Sequence, residues 1–272
     1  MWSNSAAVVE HVKNAFVATE AGTSKLDESV FMMDGITGRK TRMLYNNLGN
    51  TADALVLIDV GAGNGSSTAA FLNNNDTVTA CVVDDWSIHG SSGEFNSNVK
   101  SLNVTNLVTS PENVDVSALP KANIVLYDSF YDNGATERLI KKLSVAFADV
   151  CVLIVDDFNW YGIEQQTRDA LSLIGHTVVY EKVVKTDYNA EAASSYWNGI
   201  GVFVLVKNGV KADAPVPTAV VEAPAPAVEA PVMEAAAAVE AAAVVEAPPA
   251  VEAPAPAVEA PPAVEAPVET PA

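Results

Sequence analysis

Residues 55–68 read Leu-Val-Leu-Ile-Asp-Val-Gly-Ala-Gly-Asn-Gly-Ser-Ser-Thr, and this stretch decides the fold. Residues 55–60 are apolar except for Asp59, which is typical of a strand buried on both faces of a parallel sheet. Three glycines follow, and the absence of a Cβ permits positive φ and lets a ligand approach the backbone. Ser66 and the hydroxyl residues after it can begin a helix. The stretch therefore predicts a strand, a glycine turn and a helix N-terminus, which together form a nucleotide-binding niche.

The composition divides the 272 residues into a body and a tail. From Asp213 onward there is no Lys, Arg, Gly or aromatic residue, and Val-Glu-Ala-Pro recurs. Proline at this density removes amide donors and favours extended chain, so we expect residues 212–272 to form a disordered tail. Ten of the 34 acidic residues lie in the tail, which leaves 24 acidic against 15 basic residues in the body. Because both parts are acidic, a nucleic-acid substrate is disfavoured.

The two cysteines, Cys81 and Cys151, lie within apolar runs, which predicts buried free thiols and fits a reducing compartment. The first residues lack a basic start followed by an apolar core, so no signal peptide is predicted. No apolar run approaches the roughly 20 residues that span a bilayer. We therefore expect a cytoplasmic protein without membrane association and with no identifiable partner for the tail.

The glycine turn resembles motif I of the class I S-adenosylmethionine-dependent methyltransferases, an acidic residue followed at two positions by Gly-x-Gly-x-Gly. The matching residues are Asp59, Gly61, Gly63 and Gly65. Dinucleotide oxidoreductases use G-x-G-x-x-G instead, and Ser66 stands where their third glycine falls. The alternative is that the glycines only allow a tightly packed turn and bind no ligand. The resemblance implies S-adenosylmethionine as cofactor, with Asp59 and the glycine turn holding its methionine part.

A carboxylate follows the second predicted strand, residues 78–83, about 20 residues after the glycine turn. Asp84 can accept both ribose hydroxyls of an adenosine group from this position. Trp86 is then placed to pack beside the adenine, with burial in the core as a comparable alternative. Ser110, at the turn after the third strand, is a further candidate for an adenine contact.

Two later strands also end in carboxylates. Residues 122–127 run into Asp128, and residues 150–155 run into Asp156 and Asp157. If these strands are neighbours, the three carboxylates converge at the edge of the sheet where ligands bind, and a hard cation such as Mg²⁺ would relieve their repulsion. The alternative is that one caps a helix and another is solvated.

The remaining pattern completes the fold class. Two helices, near residues 6–18 and 38–50, precede the first strand, and helices near 137–147 and 165–174 follow the fourth and fifth strands. A sixth and a seventh strand, 177–184 and 201–207, end the body. We predict a Rossmann-like α/β fold with a seven-stranded, mostly parallel sheet and an antiparallel last strand. The predicted domains are an N-terminal helical cap (1–54), an S-adenosylmethionine-binding domain (55–211) and the tail.

Residues 35–208 resemble more narrowly the macrocin-type O-methyltransferases, above all in Val155-Asp-Asp-Phe-Asn-Trp-Tyr-Gly162. The resemblance implies methylation of a hydroxyl on a small molecule or glycan, with Asp128, Asp156 and Asp157 as metal ligands. Phe130 stands where these enzymes often carry His or Asp as a base. Either Asp132 or Asp157 replaces it as the catalytic base, or the metal acidifies the substrate hydroxyl enough to do without one, or activity has been lost. A catalytically silent module with the same fold is the alternative, and a dinucleotide oxidoreductase is a third reading.

Overall fold

The computed structural model describes residues 2–129, 134–186 and 195–210, with backbone alone at 106–108. Within these ranges the helices are α1 (Ser5–Glu20), α2 (Glu28–Phe31), α3 (Arg39–Gly49), α4 (Ser66–Leu72), α5 (Ser92–Val99), α6 (Ala135–Leu143) and α7 (Ile163–Leu173). The strands are β1 (Leu55–Val60), β2 (Val78–Asp84), β3 (Val104–Val108), β4 (Ala122–Tyr127), β5 (Phe147–Asp156), β6 (His176–Val184) and β7 (Ile200–Lys207).

The described strands form one seven-stranded sheet in the order β3-β2-β1-β4-β5-β7-β6. The pairs from β3 to β5 are parallel, whereas β7 lies antiparallel between β5 and β6. Because β1 and β4 are adjacent and β4 and β5 are adjacent, the loops after all three strands meet at one edge of the sheet. This edge is where ligands bind in open α/β sheets.

Apolar side chains cover both faces of the sheet. Leu55 and Leu57 of β1 pack into a cluster with α1, α3 and α4, whereas Ile58 and Val60 pack on the opposite face with α6 and α7. This alternation follows from the two-residue period of a strand. Because both faces are packed, β1 and its neighbouring strands hold the loops that follow them in place.

The predicted fold class and all seven strands are confirmed. The predicted helix at 137–147 is shorter, because a single turn of 3-10 helix, Ser144–Ala146, follows α6 and β5 already begins at Phe147. Helices α2 and α5 were not predicted. Cys81 and Cys151 are buried and free, as expected. The proposed tail lies outside the described residues.

Within the described ranges, no helix combines the length and the apolar character that crossing a bilayer requires.

Candidate functional site

A cavity of about 620 Å³ opens at the carboxyl ends of the central strands. The segments after each of the strands β1 to β5 line it, together with residues 34–37 between α2 and α3 and the turn before β7. Its volume falls within the roughly 300–1,000 Å³ that is usual for small-molecule sites. The cavity thus occupies the edge of the sheet that the sequence predicted.

The three glycines of the turn have three different environments. A Cβ on Gly61, which has φ of 89°, would overlap the carbonyl oxygen of Asp128 on the neighbouring strand loop. Gly63 has φ of 53°, lines the cavity, and a Cβ there would meet no atom within 4 Å. Gly65 does not line the cavity, and its missing Cβ makes room for Phe95 of α5. Only Gly63 therefore leaves open space on the ligand side of the turn.

Asp59 braces the turn from the protein interior. Its side chain is fully buried, and its Oδ2 accepts hydrogen bonds from Ser67 Oγ at 2.9 Å and Thr68 Oγ1 at 2.6 Å. Its Oδ1 has no hydrogen-bond partner among the described residues. Burial raises the pKa of Asp59 to about 6, although the two hydroxyl hydrogen bonds lower it. Asp59 is not among the residues that line the cavity, and its contact with the methionine part of a cofactor stays a prediction.

Asp84 lies in the cavity wall and also fixes the glycine turn. Its Oδ2 accepts from the Gly63 amide at 3.0 Å, and its Oδ1 accepts from the Trp86 amide at 2.7 Å. The Trp86 indole donates from Nε1 to the Gly63 carbonyl at 2.7 Å and packs against Phe95 with ring centroids 5.4 Å apart. Trp86 is half-buried against the cluster around Phe95 and is not among the residues that line the cavity, and its contact with adenine stays a prediction.

The two aspartates after β5 face different surroundings. Asp156 is buried, and its oxygens accept from Tyr45 Oη and from the Asp157 amide, each at 3.0 Å. Burial, followed by the proximity of Asp157, raises the pKa of Asp156. Asp157 has φ of 54°, lines the cavity and accepts from Asn198 Nδ2 at 2.9 Å. Of this pair, only Asp157 is presented to a ligand.

The predicted three-carboxylate metal site is not assembled in the part of the chain that the structure describes. Asp128 and Asp157 line the cavity, but both oxygens of Asp156 are held by protein donors. No group of three or more His, Cys, Asp or Glu side chains within the described ranges could hold a metal ion. The expectation of Mg²⁺ therefore gains no support. Asp132 and Phe130 lie outside the described residues, so the catalytic role predicted for Asp132 stays a prediction.

Several lining residues were not predicted as site residues. Pro111 lines the cavity where Ser110 was expected, and Asp85 lines it beside Asp84. Trp160 follows the aspartate pair, and Trp197 and Asn198 precede β7. The sequence could have indicated these residues only by their position, since each follows or precedes a strand at the carboxyl edge of the sheet.

The lining of the cavity is strongly acidic. It includes five aspartates, and none of the described lining residues is Lys or Arg. The aspartates are Asp34, Asp84, Asp85, Asp128 and Asp157. A cavity with this lining attracts cations and repels anions, because low-dielectric walls concentrate the field of the carboxylates.

No protein-family model and no curated protein matches the chain. The chain is similar in structure to precorrin-6y C5,15-methyltransferase from Geobacter metallireducens GS-15, at 17% identity and a TM-score of 0.45 over 61% of this chain and 87% of that one. It is also similar to TYW2 of M. jannaschii, solved in complex with AdoMet, at 14% identity and a TM-score of 0.45 over 60% and 74% of the two chains. An rRNA methylase from Streptococcus thermophilus has 12% identity and a TM-score of 0.41 over 61% and 94%. These values are too low to assign the chain to a family.

Proposed function

We propose that this protein is an S-adenosylmethionine-dependent methyltransferase that methylates a hydroxyl of a small molecule or glycan. The observation that carries this proposal is the charge of the cavity, which has five aspartates and no Lys or Arg among its described lining residues. S-adenosylmethionine is a net cation, because its sulfonium and ammonium charges exceed its one carboxylate. A dinucleotide instead carries a pyrophosphate, which this lining would repel. The charge therefore supports S-adenosylmethionine over the dinucleotide alternative.

The shape of the cavity supports the same ligand. Gly63 leaves the space beside the turn open, as close approach of a ligand to the backbone requires. The lining runs from the end of β2 to the start of β7, which are four strand spacings apart, or about 19 Å. A cavity of this length accommodates a cofactor and an acceptor side by side. The loops after β1 and β2 would hold the cofactor, and those at β5 and β7 the acceptor.

Individual residues have separate tasks in this arrangement. Asp84 would accept the ribose hydroxyls, because each of its oxygens accepts only one backbone amide in the described contacts and a carboxylate oxygen can accept two hydrogen bonds. Gly61 and Gly63 would lie against the methionine part. Trp160 and Trp197 would form the walls around the acceptor.

When bound, S-adenosylmethionine supplies an electrophilic methyl group on a sulfonium. Asp157 would remove the proton of the acceptor hydroxyl while the oxygen–carbon bond forms and the carbon–sulfur bond breaks. Asn198 holds the carboxylate of Asp157 in place by its 2.9 Å hydrogen bond. General-base catalysis of this kind contributes about 10²–10⁴ in rate. Most of the remaining acceleration would come from alignment of the two ligands.

Calorimetric titration of the full chain with S-adenosylmethionine, S-adenosylhomocysteine and NAD tests the cofactor. We expect the first two to bind in the micromolar range and NAD not to bind. Asp84→Ala should weaken binding at least about tenfold, as expected for loss of a charge-assisted hydrogen bond. Asp149→Ala is the matched control, because this exposed aspartate near the start of β5 lies toward the opposite edge of the sheet. Absence of S-adenosylmethionine binding to the unmodified protein would refute the proposal.

The second candidate is a catalytically silent module, which Phe130 favours because a phenyl ring cannot take a proton. A methyl-transfer assay against a panel of hydroxylated acceptors separates the two. For an active enzyme, Asp157→Asn should retain S-adenosylhomocysteine affinity and lose turnover by about 10²–10⁴. Cofactor binding without turnover of any acceptor would favour the silent module.

A further inference from the structure

A buried arginine organises the segment that covers one side of the cavity. We call residues 30–37, which extend from the end of α2 toward α3, the cap segment. Arg42 of α3 is 4% exposed, and its guanidinium donates only to main-chain carbonyls of the cap segment in the described contacts. The acceptors are Val30 at 2.6 Å, Met33 at 2.8 Å, Thr37 at 3.1 Å, Phe31 at 3.2 Å and Gly35 at 3.3 Å.

The five carbonyl acceptors require a guanidinium and not another cationic group. Among the described residues Arg42 forms no salt bridge, and burial lowers its pKa. Its planar fork with five N–H donors matches several carbonyls that converge from one curved stretch of backbone. A lysine ammonium has three donors at one point and cannot reach the same set. The shape of the cap segment is therefore fitted to arginine.

The other side of the cap segment faces the cavity and the glycine turn. Asp34 Oδ2 accepts from Asn64 Nδ2 at 3.1 Å, and the hydroxyls of Thr37 and Ser66 lie 3.3 Å apart. The cap segment is anchored to the core by Val30, which is 5% exposed, and by Met33, whereas Met32 is 77% exposed and Ile36 is 55% exposed. Between Met33 and Thr37, the stretch that reaches the cavity, the described contacts that fix the backbone carbonyls are those that Arg42 donates.

We infer that Arg42 is a positioning residue for the ligand site: it holds the cap segment in the conformation that forms the cavity wall beside the glycine turn. Arg42 does not line the cavity, so it acts through the residues it orders. A cap segment that is already ordered increases the affinity for a ligand, because binding then does not have to pay the entropic cost of ordering it. The identity of the ligand rests on the proposed function, whereas the ordering of the cap segment does not.

The test compares Arg42→Met, Arg42→Lys and Leu48→Ala in the full chain. Leu48 is fully buried in the same helix and is not part of the cap segment, so its truncation destabilises the protein while leaving the guanidinium in place. Hydrogen exchange of peptides that cover residues 30–38 reports the order of the cap segment. Calorimetry with S-adenosylhomocysteine reports the consequence for binding.

We expect exchange in the cap segment to become at least about tenfold faster in both Arg42 variants, with β1 and β4 unchanged. S-adenosylhomocysteine affinity should fall about tenfold or more in both. Leu48→Ala should lower the melting temperature without either effect. Unchanged exchange in the Arg42 variants, or equal effects in Leu48→Ala, would overturn the inference. If the unmodified protein binds no S-adenosylhomocysteine, the proposed function fails while the exchange comparison still decides the role of Arg42.

Discussion

Replacing Gly63 by alanine separates the ligand role of the glycine turn from its role in folding. Gly63 has φ of 53°, and a Cβ there would meet no protein atom within 4 Å. The new methyl group would therefore point into open space at the cavity lining instead of colliding with the protein. We therefore expect the Gly63→Ala protein to fold and to bind S-adenosylhomocysteine more weakly than the unmodified protein.

The expected magnitudes follow from this geometry. An alanine held at positive φ costs about 1–2 kcal/mol, and no further clash adds to it at Gly63. In a domain of about 200 residues, each kcal/mol corresponds to about 2–4 °C in melting temperature. S-adenosylhomocysteine affinity should fall at least about tenfold, because the methyl group occupies the space in which the ligand would touch the backbone.

Two further alanine variants complete the measurement. Gly22→Ala has the same kind of strain, at φ of 72° with nothing within 4 Å, and it lies outside the cavity lining. It should lose similar stability and retain affinity. Gly61→Ala should lose more stability, about 2–5 kcal/mol, because its Cβ would overlap the Asp128 carbonyl and force β1 from β4. Denaturant unfolding and calorimetry provide both quantities. Equal affinities of Gly63→Ala and Gly22→Ala would refute the assignment of Gly63 to the ligand site.

Three other perturbations test the buried network and the acceptor walls. Burial raises the pKa of Asp59 from 3.8 to about 6 in the folded protein. Its contribution to the free energy of unfolding is therefore fully present below about pH 3.8 and is lost as pH rises through about 6. Asp59→Asn should remove this pH dependence. The difference in unfolding free energy between the variant and the unmodified protein should then change by up to about 3 kcal/mol across that pH range. Parallel curves of unfolding free energy against pH would contradict this prediction. Tyr45→Phe should lower the unfolding free energy by about 1.5–3 kcal/mol in denaturant titrations, because it removes a buried hydrogen bond to Asp156, and a change near zero would show that the bond is not formed. Trp160 is 47% exposed, so Trp160→Ala should raise the KM for an acceptor at least about threefold with little change in stability, whereas the exposed control Leu173→Ala should leave KM unchanged.

The sequence predicted the strands well because their apolar runs are long and bounded by turn residues. It did not predict α5, since Ser92 and Gly93 read as part of a loop. The structure shows a cap in which Ser91 Oγ accepts from the Glu94 amide at 3.2 Å, and Phe95 is fully buried. Serine followed three residues later by glutamate is a capping pattern, so a local signal for this helix was present.

The site was harder to predict because buried strands do not show which face a polar residue occupies. Asp59 lies between apolar neighbours in β1, and only the structure shows that Ser67 and Thr68 bind it from α4. Arg42 illustrates a second limit. Its partners are main-chain carbonyls, which every sequence contains and no side-chain pattern reveals.

The two consecutive aspartates at the end of β5 divide between the fold and the cavity, whereas Asp84 and Asp85 at the end of β2 both line the cavity. Adjacent residues within a strand point to opposite faces, and Asp156 is still within β5 whereas Asp157 is the first residue after it. Asp156, the last residue of β5, bonds to Tyr45, and Asp157 reaches the cavity lining with the chain at positive φ. A three-carboxylate metal site would need both, and of the three predicted ligands only Asp128 and Asp157 line the cavity. The charge offered to a ligand is therefore set largely by residues in the loops, and the aspartates inside β1 and β5 serve the fold.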